Sequence, residues 1–393
     1  MLSASWSKII GLSALQGAIS LTWLIYNIYL PKLLISFGFS PGLAILLLIV
    51  ENVIAVILEP LFGSLSDRAY RWIATKFGIV SFGVIVTATI SVLIPTIVVF
   101  GDLFSAVKWI LPAVLIAWAM AMTIFRTPAI SLIGRYAFAS ELPIAMSFLT
   151  VVGGFVGALR PISQDLILGL GAPFAFTIAS LVLLAATGLL RYFDSGINDP
   201  LPTTPLQPIR PLNIALVMGM GLGVAWGYRC LLETLPKVLK VQLPQFDSVI
   251  LMVTISLAIS VSALPCGLLA AKYGNQKLML IGAGVTIFGL LGMVFLPIPI
   301  TLIIAIILFI CCLSLLTNGT IPLAINLFPP DRIGLAVGLY FSGITAGLCS
   351  FSSLFNPVTT LTPLLGAVCG SIGFLLAGGC VWQSMKNKLI VNN

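Results

Sequence analysis

The stretch Gly63-Ser64-Leu65-Ser66-Asp67-Arg68-Ala69-Tyr70-Arg71 lies between two long apolar runs. A faded copy, Gly267-Leu268-Leu269-Ala270-Ala271-Lys272-Tyr273-Gly274-Asn275-Gln276-Lys277, stands in the same setting about 204 residues later. One charged loop of this kind is a weak signal. Two of them, each following a similar apolar helix, describe a membrane protein built from two related halves. The halves match elsewhere in the same order. Tyr29-Leu30-Pro31-Lys32-Leu33-Leu34 answers to Thr234-Leu235-Pro236-Lys237-Val238-Leu239, and Pro60 and Gly63 answer to Pro265 and Gly267, at offsets of 205, 205 and 204 residues. Three matches in one order point to internal duplication. Parallel repeats related about the membrane normal are a plan of alternating-access transporters.

Composition agrees. The 393 residues are 60% hydrophobic and 8% charged, whereas a soluble globular protein carries roughly 25% charged residues. Apolar segments of about 20 residues recur from end to end, each long enough to cross a hydrocarbon core of roughly 30 Å. The 36 glycines and 24 prolines do not argue against helices, because neighbouring helices satisfy the backbone groups they free. The first apolar run, from Ile9 to Tyr29, is too long for a signal-peptide core and has no convincing cleavage site, so it reads as the first span.

The expected fold is an all-α integral membrane protein of twelve transmembrane helices in two six-helix pseudo-symmetric halves. The spans are placed at 9–30, 41–63, 74–96, 107–129, 143–168, 172–193, 212–235, 247–270, 278–297, 299–325, 333–355 and 361–382, with eleven as the rival count. Residues 194–211 hold five prolines and no periodicity. They read as an extended linker between an N-terminal half, 1–193, and a C-terminal half, 212–393.

The net charge of +8 would suggest nucleic acid in a soluble protein. Here the charges sit in membrane loops, so no nucleic-acid partner is expected. With the N-terminus inside, thirteen lysines and arginines fall on the cytoplasmic side and four on the other, while Arg160 and Arg229 lie within spans. That bias places both termini in the cytoplasm and gives some affinity for anionic lipid. A bacterial plasma (inner) membrane is the expected location. The seven cysteines show no metal-ligand spacing and there is no histidine. The cysteines read as small packing residues, with no disulfide framework, metal or cofactor expected. No phosphate-binding Gly-Lys-Ser/Thr loop appears, so direct ATP drive is not indicated, and the chain does not read as an enzyme. Proton-coupled chemistry must use carboxylates.

The carboxylates that stand out are Glu51 and Glu59 in span two, eight residues apart and able to share a face. An ionised carboxylate in hydrocarbon must face the interior or a cavity, be paired, or be protonated. Each is therefore a candidate substrate or proton site, or one member of a fixed structural pair with Arg126. Arg229 and Glu233 form an i,i+4 pair in span seven, and Arg160 lies in span five with Asp165 beyond it. Pairing lowers the cost of burial, and a buried arginine can bind an anionic substrate or a hydroxylated one. Trp23, Tyr26 and Asn27 lie within about one turn. An aromatic platform with an amide suits a sugar ring, and the same residues suit a lipid-interface anchor. Asn318 in span ten is a further inward polar candidate.

The chain resembles the major facilitator superfamily, whose mark is a Gly-x-Leu-x-Asp-Arg-x-Gly-Arg-Arg/Lys-like loop between spans two and three, often echoed between spans eight and nine. Gly63, Leu65, Asp67, Arg68 and Arg71 carry it, with Tyr70 where glycine is usual and Trp72 where a base is frequent. In the second copy Ala271 replaces the acid, while Gly267, Leu269, Lys272, Gly274 and Lys277 remain. The resemblance implies that Asp67 helps to lock the outward-facing state across the halves and links to a base at the inner end of span four, for which Arg126 is the candidate. Pro60-Leu61-Phe62-Gly63-Ser64-Leu65-Ser66-Asp67-Arg68 and Arg126-Thr127-Pro128-Ala129 are similar to the sucrose and glycoside–cation symporter branches. Antiporter branches carry a Gly-rich fifth span ending in Gly-Pro. Here Gly153-Gly154-Phe155-Val156-Gly157-Ala158-Leu159-Arg160-Pro161 supplies the glycines, but Arg160 interrupts the ending.

The expectation is a secondary active transporter, functional as a monomer, moving a small polar solute such as a sugar or glycoside with a proton or cation. The alternatives are an exporter of amphipathic compounds or metabolites, and a non-transporting membrane or pigment-complex assembly factor.

Overall fold

The computed structural model describes residues 5–73, 77–100, 109–194, 207–295, 299–355 and 361–391, which are helical with no strand among them. In the first half these are α1 (Trp6–Ser36), α2 (Pro41–Ile73), α3 (Phe77–Phe100), α4 (Ile110–Ser131), a short α5 (Ile133–Tyr136), α6 (Leu142–Ala158), α7 (Arg160–Gly169) and α8 (Ala172–Asp194). The second half holds α9 (Pro211–Gln242), α10 (Ser248–Tyr273), α11 (Asn275–Phe295), α12 (Pro299–Asn318), a short α13 (Thr320–Asn326), α14 (Ile333–Leu354) and α15 (Pro363–Val391). Hydrocarbon offers no partner for a backbone N–H or C=O, so a span must satisfy its polar groups internally, and the helix does this. Among the described residues eleven spans are long and apolar enough to cross a membrane. A twelfth is formed by α6 and α7 together, bent by 62° at Leu159. Pro161, second in α7, has no N–H to donate back into α6, which accounts for a break there.

Packing repeats between the halves. α1 packs on α8 and α6 as α9 packs on α15 and α14. α4 lies against α2 and α3 as α12 lies against α10 and α11, and α3 meets α8 as α11 meets α15. Two seams join the halves, α2 against α14 and α10 against α6, and the same symmetry exchanges them. Lys8 Nζ bonds Asp194 Oδ1 at 2.8 Å and ties the start of α1 to the end of α8. The expected linker, 194–211, falls largely outside the described residues. Its two bounding residues are helical, since α8 runs through Asp194 and α9 begins at Pro211.

The stretch 63–71, expected to be a loop, is helix. α2 runs unbroken for 33 residues, about 50 Å at 1.5 Å per residue, well beyond the hydrocarbon thickness. After Gly63 it meets no breaker, and leucine, alanine and arginine are good helix formers. The second copy does turn. Gly274, at φ 99°, ends α10 and lets α11 begin at the next residue, a backbone conformation that glycine adopts at little cost.

Candidate functional site

The α2–α14 seam is built on small residues. A Cβ added at Gly63 would strike the carbonyl oxygen of Gly334, and one at Gly338 would strike that of Glu59. One turn further on, Ser342 Oγ donates to the Val56 carbonyl at 2.6 Å. Gly334, Gly338 and Ser342 are spaced by four and share one helix face, so the two backbones approach closely. At the end of the seam Asp67, 3% exposed, accepts from the backbone N–H of Gly334 at 2.9 Å and of Leu335 at 2.8 Å. These are the second and third residues of α14, whose first N–H groups have no partner within the helix and whose N-terminus carries partial positive charge. The acid of one half thus caps a helix of the other. Arg68 is exposed, and the side chain of Arg71 lies outside the described residues.

The expected link from Asp67 to Arg126 does not form. Arg126 Nη2 bonds Glu59 Oε1, Thr127 Oγ1 donates to Glu59 Oε2, and the guanidinium lies 4.5 Å from the Phe341 ring centre of α14. Asp67 is eight residues, about 12 Å, further along α2, which puts it out of reach of an arginine already held at Glu59. Glu59 is wholly buried and forms a triad with Arg126 and Thr127 beside the seam.

The α6–α10 seam is closed differently. Gly267 approaches the Pro143 carbonyl and Ser147, and Gly154 faces Ser260. Asn318, expected to face inward as a polar cavity residue, is 2% exposed inside this seam. Its Nδ2 donates to the Pro143 carbonyl at 3.1 Å, and Thr150 Oγ1 donates to its Oδ1 at 2.9 Å. The side chain leaves α12 at its last residue, against α6, so the span cannot present it to a cleft. Pro143 is the second residue of α6 as Gly334 is of α14, and Ala271 stands where Asp67 stands. The second seam therefore lacks both the acceptor and the matching N–H. A cavity of about 270 Å³ occupies the place, bordered by Ser140, Pro143, Ala271, Gly274 and Lys277.

In the first half a buried aromatic cluster organises α1, α2 and α4. Tyr26 stacks on Trp118 with ring centres 4.1 Å apart, and Trp23 meets both rings edge-on at 5.7 and 5.1 Å. Trp118 Nε1 donates to Ser91 Oγ at 2.7 Å, and the Tyr26 hydroxyl donates to Glu51 Oε1. Tyr26 is fully buried, so the expected platform of Trp23, Tyr26 and Asn27 does not form a single surface. Residues one apart on a helix point about 100° away from each other, which turns Tyr26 inward while Trp23 and Asn27 remain half-buried. Asn27 spends its N–H on the Trp23 carbonyl at 2.8 Å. Glu51, 7% exposed, has no cationic partner among the described residues.

Half-exposed residues at helical spacing run along α1 and α9, the equivalent helices of the two halves, and are read as walls of a cleft between them. On α1 the stripe is Gln16, Ser20, Trp23 and Asn27, and on α9 it is Leu222, Trp226, Arg229 and Glu233. Arg229 bonds Glu233 at 3.1 Å, both about two-fifths exposed, and lies 5.5 Å from the Phe351 ring. Trp226 meets Phe351 and Phe355 edge-on at 5.7 and 6.1 Å. Arg160, exposed at the head of α7, lies within Coulombic range of Arg229 across the halves. Gly334, Gly338, Ser342 and Phe351 were not singled out by sequence, and Thr127 was quoted only as part of the Arg126-Thr127-Pro128-Ala129 segment. The small-xxx-small run Gly334-Leu335-Ala336-Val337-Gly338-Leu339-Tyr340-Phe341-Ser342 is the signal that would have found the seam.

The model of the Major Facilitator Superfamily matches residues 12–352 and 224–385, and the chain belongs to that family. It is a multi-pass membrane transporter that moves a small molecule by alternating access, and not an enzyme. Among curated proteins no sequence match is found. The solved structures that share the fold over nearly all of both chains include the following three. A bacterial homologue of the iron transporter ferroportin in the outward-facing state is 14% identical with a TM-score of 0.72, covering 98% of this chain and 100% of that one. A bacterial homologue of the iron transporter ferroportin in the outward-facing state with soaked iron is 16% identical with a TM-score of 0.71, at the same coverage. The human organic anion transporter MFSD10 (TETRAN) is 14% identical with a TM-score of 0.69, covering 97% of this chain and 100% of that one. Identities this low carry the fold alone. Among the described residues there is no cluster of metal-ligating side chains.

Proposed function

We propose that this chain is an exporter of an amphipathic metabolite, working by proton-coupled alternating access in a bacterial inner membrane with both termini cytoplasmic. The observation that carries the reading is the composition of the cleft. Tyr26 and Asn318 are withdrawn into the core and a seam, and beside Gln16, Ser20 and Asn27 the cleft keeps the aromatic surface of Trp23, Trp226 and Phe351 and the charges of Arg229 and Glu233. Such a wall suits a partly apolar cargo better than a sugar. The glycines of α6, one of which meets Ser260 across the seam, match the Gly-rich fifth span of antiporter branches, while Arg160 departs from their Gly-Pro ending. The lysine and arginine bias puts the Asp67 end inside the cell. The closed seams are then cytoplasmic and the cleft faces outward, as the outward-facing neighbours do. In this cycle the halves rock about the seams, Asp67 latches the outward-facing state, and Glu51, bonded to Tyr26 and without a counter-ion, carries the coupling proton.

The test is transport in proteoliposomes under an imposed pH gradient, with neutral, cationic and anionic amphipathic compounds and a set of sugars and glycosides, for wild type and Glu51→Gln. Glutamine keeps an acceptor for Tyr26, so the fold is expected to hold. Gradient-driven movement of amphipathic compounds opposite to the proton, lost in the variant, supports the reading. Saturable sugar uptake along with the proton would replace it with symport. Drive that persists unchanged in Glu51→Gln would remove Glu51 as the coupling group.

A further inference from the structure

We propose that the cargo is an organic anion whose acid group is held between Arg160 of one half and Arg229 of the other. The proposal rests on reading the chain as a carrier of amphipathic compounds and names the class. Each arginine lies eighteen residues from the start of its span at the latched end, Leu142 for one and Pro211 for the other. At about 1.5 Å per residue that is about 27 Å along each span, with Arg160 just past the bend at Leu159, which argues for a similar depth of the two residues. They lie within Coulombic range of each other.

Their partners are unequal. Arg229 is bonded to Glu233 on its own helix. The Arg160 guanidinium has no hydrogen bond or ion pair among the described residues. Asp165, five residues on along α7, lies about 140° round the helix and makes no ion pair with it. Among the described residues Glu233 is thus the carboxylate ion-paired with either arginine, and the Arg160 charge stands without an ion-pair partner among them. Such a charge is costly unless something compensates it. The guanidinium is a planar fork of donors that fits a carboxylate, sulfonate or phosphate through two bonds. The Phe351 ring lies against Arg229 and Trp226 lies beside Phe351, which offers an apolar body a place next to its acid group.

The arrangement also links loading to movement. Closing the cleft brings the two halves, and hence the two like charges, together. An anion between them turns that repulsion into attraction, so the loaded carrier closes more readily than the empty one.

The experiment uses the purified full chain and three probes, 1-naphthoate, 1-naphthalenesulfonate and 1-naphthyl phosphate, beside neutral 1-naphthylmethanol and cationic 1-naphthylmethylamine. Binding is read by tryptophan fluorescence and by the shift of the melting temperature. At least one anion is expected to bind saturably and raise the melting temperature. The alcohol and the amine are expected to bind at least tenfold more weakly. Arg160→Gln and Arg229→Gln should each weaken the anion at least tenfold, and Arg160→Lys should recover part of the loss. The Arg160 guanidinium makes no hydrogen bond or ion pair among the described residues, so a monodisperse Arg160→Gln protein keeps the test decisive. Equal binding of the alcohol, unchanged affinity in Arg160→Gln, or no binding of any of the three anions overturns the proposal. Flux of the same compounds through proteoliposomes separates the two readings. Movement of neutral or cationic probes alone defeats the anion proposal and leaves the exporter standing, whereas no movement of any probe defeats both.

Discussion

At the scale of single residues, the buried charges divide into those that hold the fold and those that are left for function. Glu59 is fully buried and saturated by Arg126 and Thr127, and the arginine's outer face is covered by Phe341 of the other half. Removing one partner of such a pair strands the other, which costs about 3–5 kcal/mol. Glu59→Gln is therefore expected to lower the melting temperature in detergent clearly. Replacing both partners with apolar residues, Glu59→Leu with Arg126→Met, should recover most of the loss. If the double variant is as unstable as the single one, the triad has a role beyond charge balance. Glu51 is of the other kind. Its neighbour is a neutral hydroxyl, so Glu51→Gln is expected to melt within about 1 kcal/mol of wild type, the range of one ordinary hydrogen bond. A large loss would mark Glu51 as structural and weaken its role in coupling.

At the scale of elements, the proposed latch is the side chain of one helix capping another helix. Asp67 bonds two N–H groups at the start of α14, 267 and 268 residues away in sequence. Hydrogen bonds to a charged group are worth about 1.5–3 kcal/mol. Asp67→Asn should thus shift the conformational balance by roughly tenfold or more toward the form open at this end. Spin labels at the exposed positions 68 and 272, one on each half, would show the change as a growing long-distance population. An unchanged distribution would mean that the cap does not set the balance. Gly338→Val asks the reverse question. Its side chain would meet Glu59 and Pro60 of α2, so the seam cannot close, transport stops, and the label distance stays long. The seams also show where sequence reading ends. Span length and hydropathy, with the repeat near 205 residues, were enough to lay out the halves, because crossing hydrocarbon makes demands that each span shows locally. The direction in which a polar residue faces was not legible. Lipid tails are as apolar as the bundle interior, so the hydrophobic pattern does not separate the two faces of a span. Tyr26 and Asn318 were misplaced for that reason, while Arg229 and Glu233, whose partner lies one turn away, were not.

At the scale of the whole molecule, the two halves repeat their packing but not their latches. Pseudo-symmetry brings Gly267 to Pro143 as it brings Gly63 to Gly334. At the α6–α10 seam, however, Ala271 supplies no carboxylate and Pro143 supplies no N–H, and Asn318 at the end of α12 holds α6 with neutral bonds instead. A carrier must leave each closed state as readily as it enters it. A capped latch on both seams would deepen the outward-facing state and slow the return. The asymmetry predicts how the latch can be rebuilt. Ala271→Asp alone gives a carboxylate facing a proline, with only the next N–H of α6 to accept from, and should change the conformational balance little. Ala271→Asp with Pro143→Gly restores both donors at a helix N-terminus, where a negative charge is favoured. The existing cavity of about 270 Å³ leaves room for the side chain. The double variant is expected to shorten the distances between labels at positions 68 and 272, raise the melting temperature, and lower turnover several-fold with cargo affinity retained. Turnover equal to wild type with the labels held close would show that opening of this end does not limit the cycle. Unchanged distances in the double variant would show that the two seams are not equivalent in the way their packing implies.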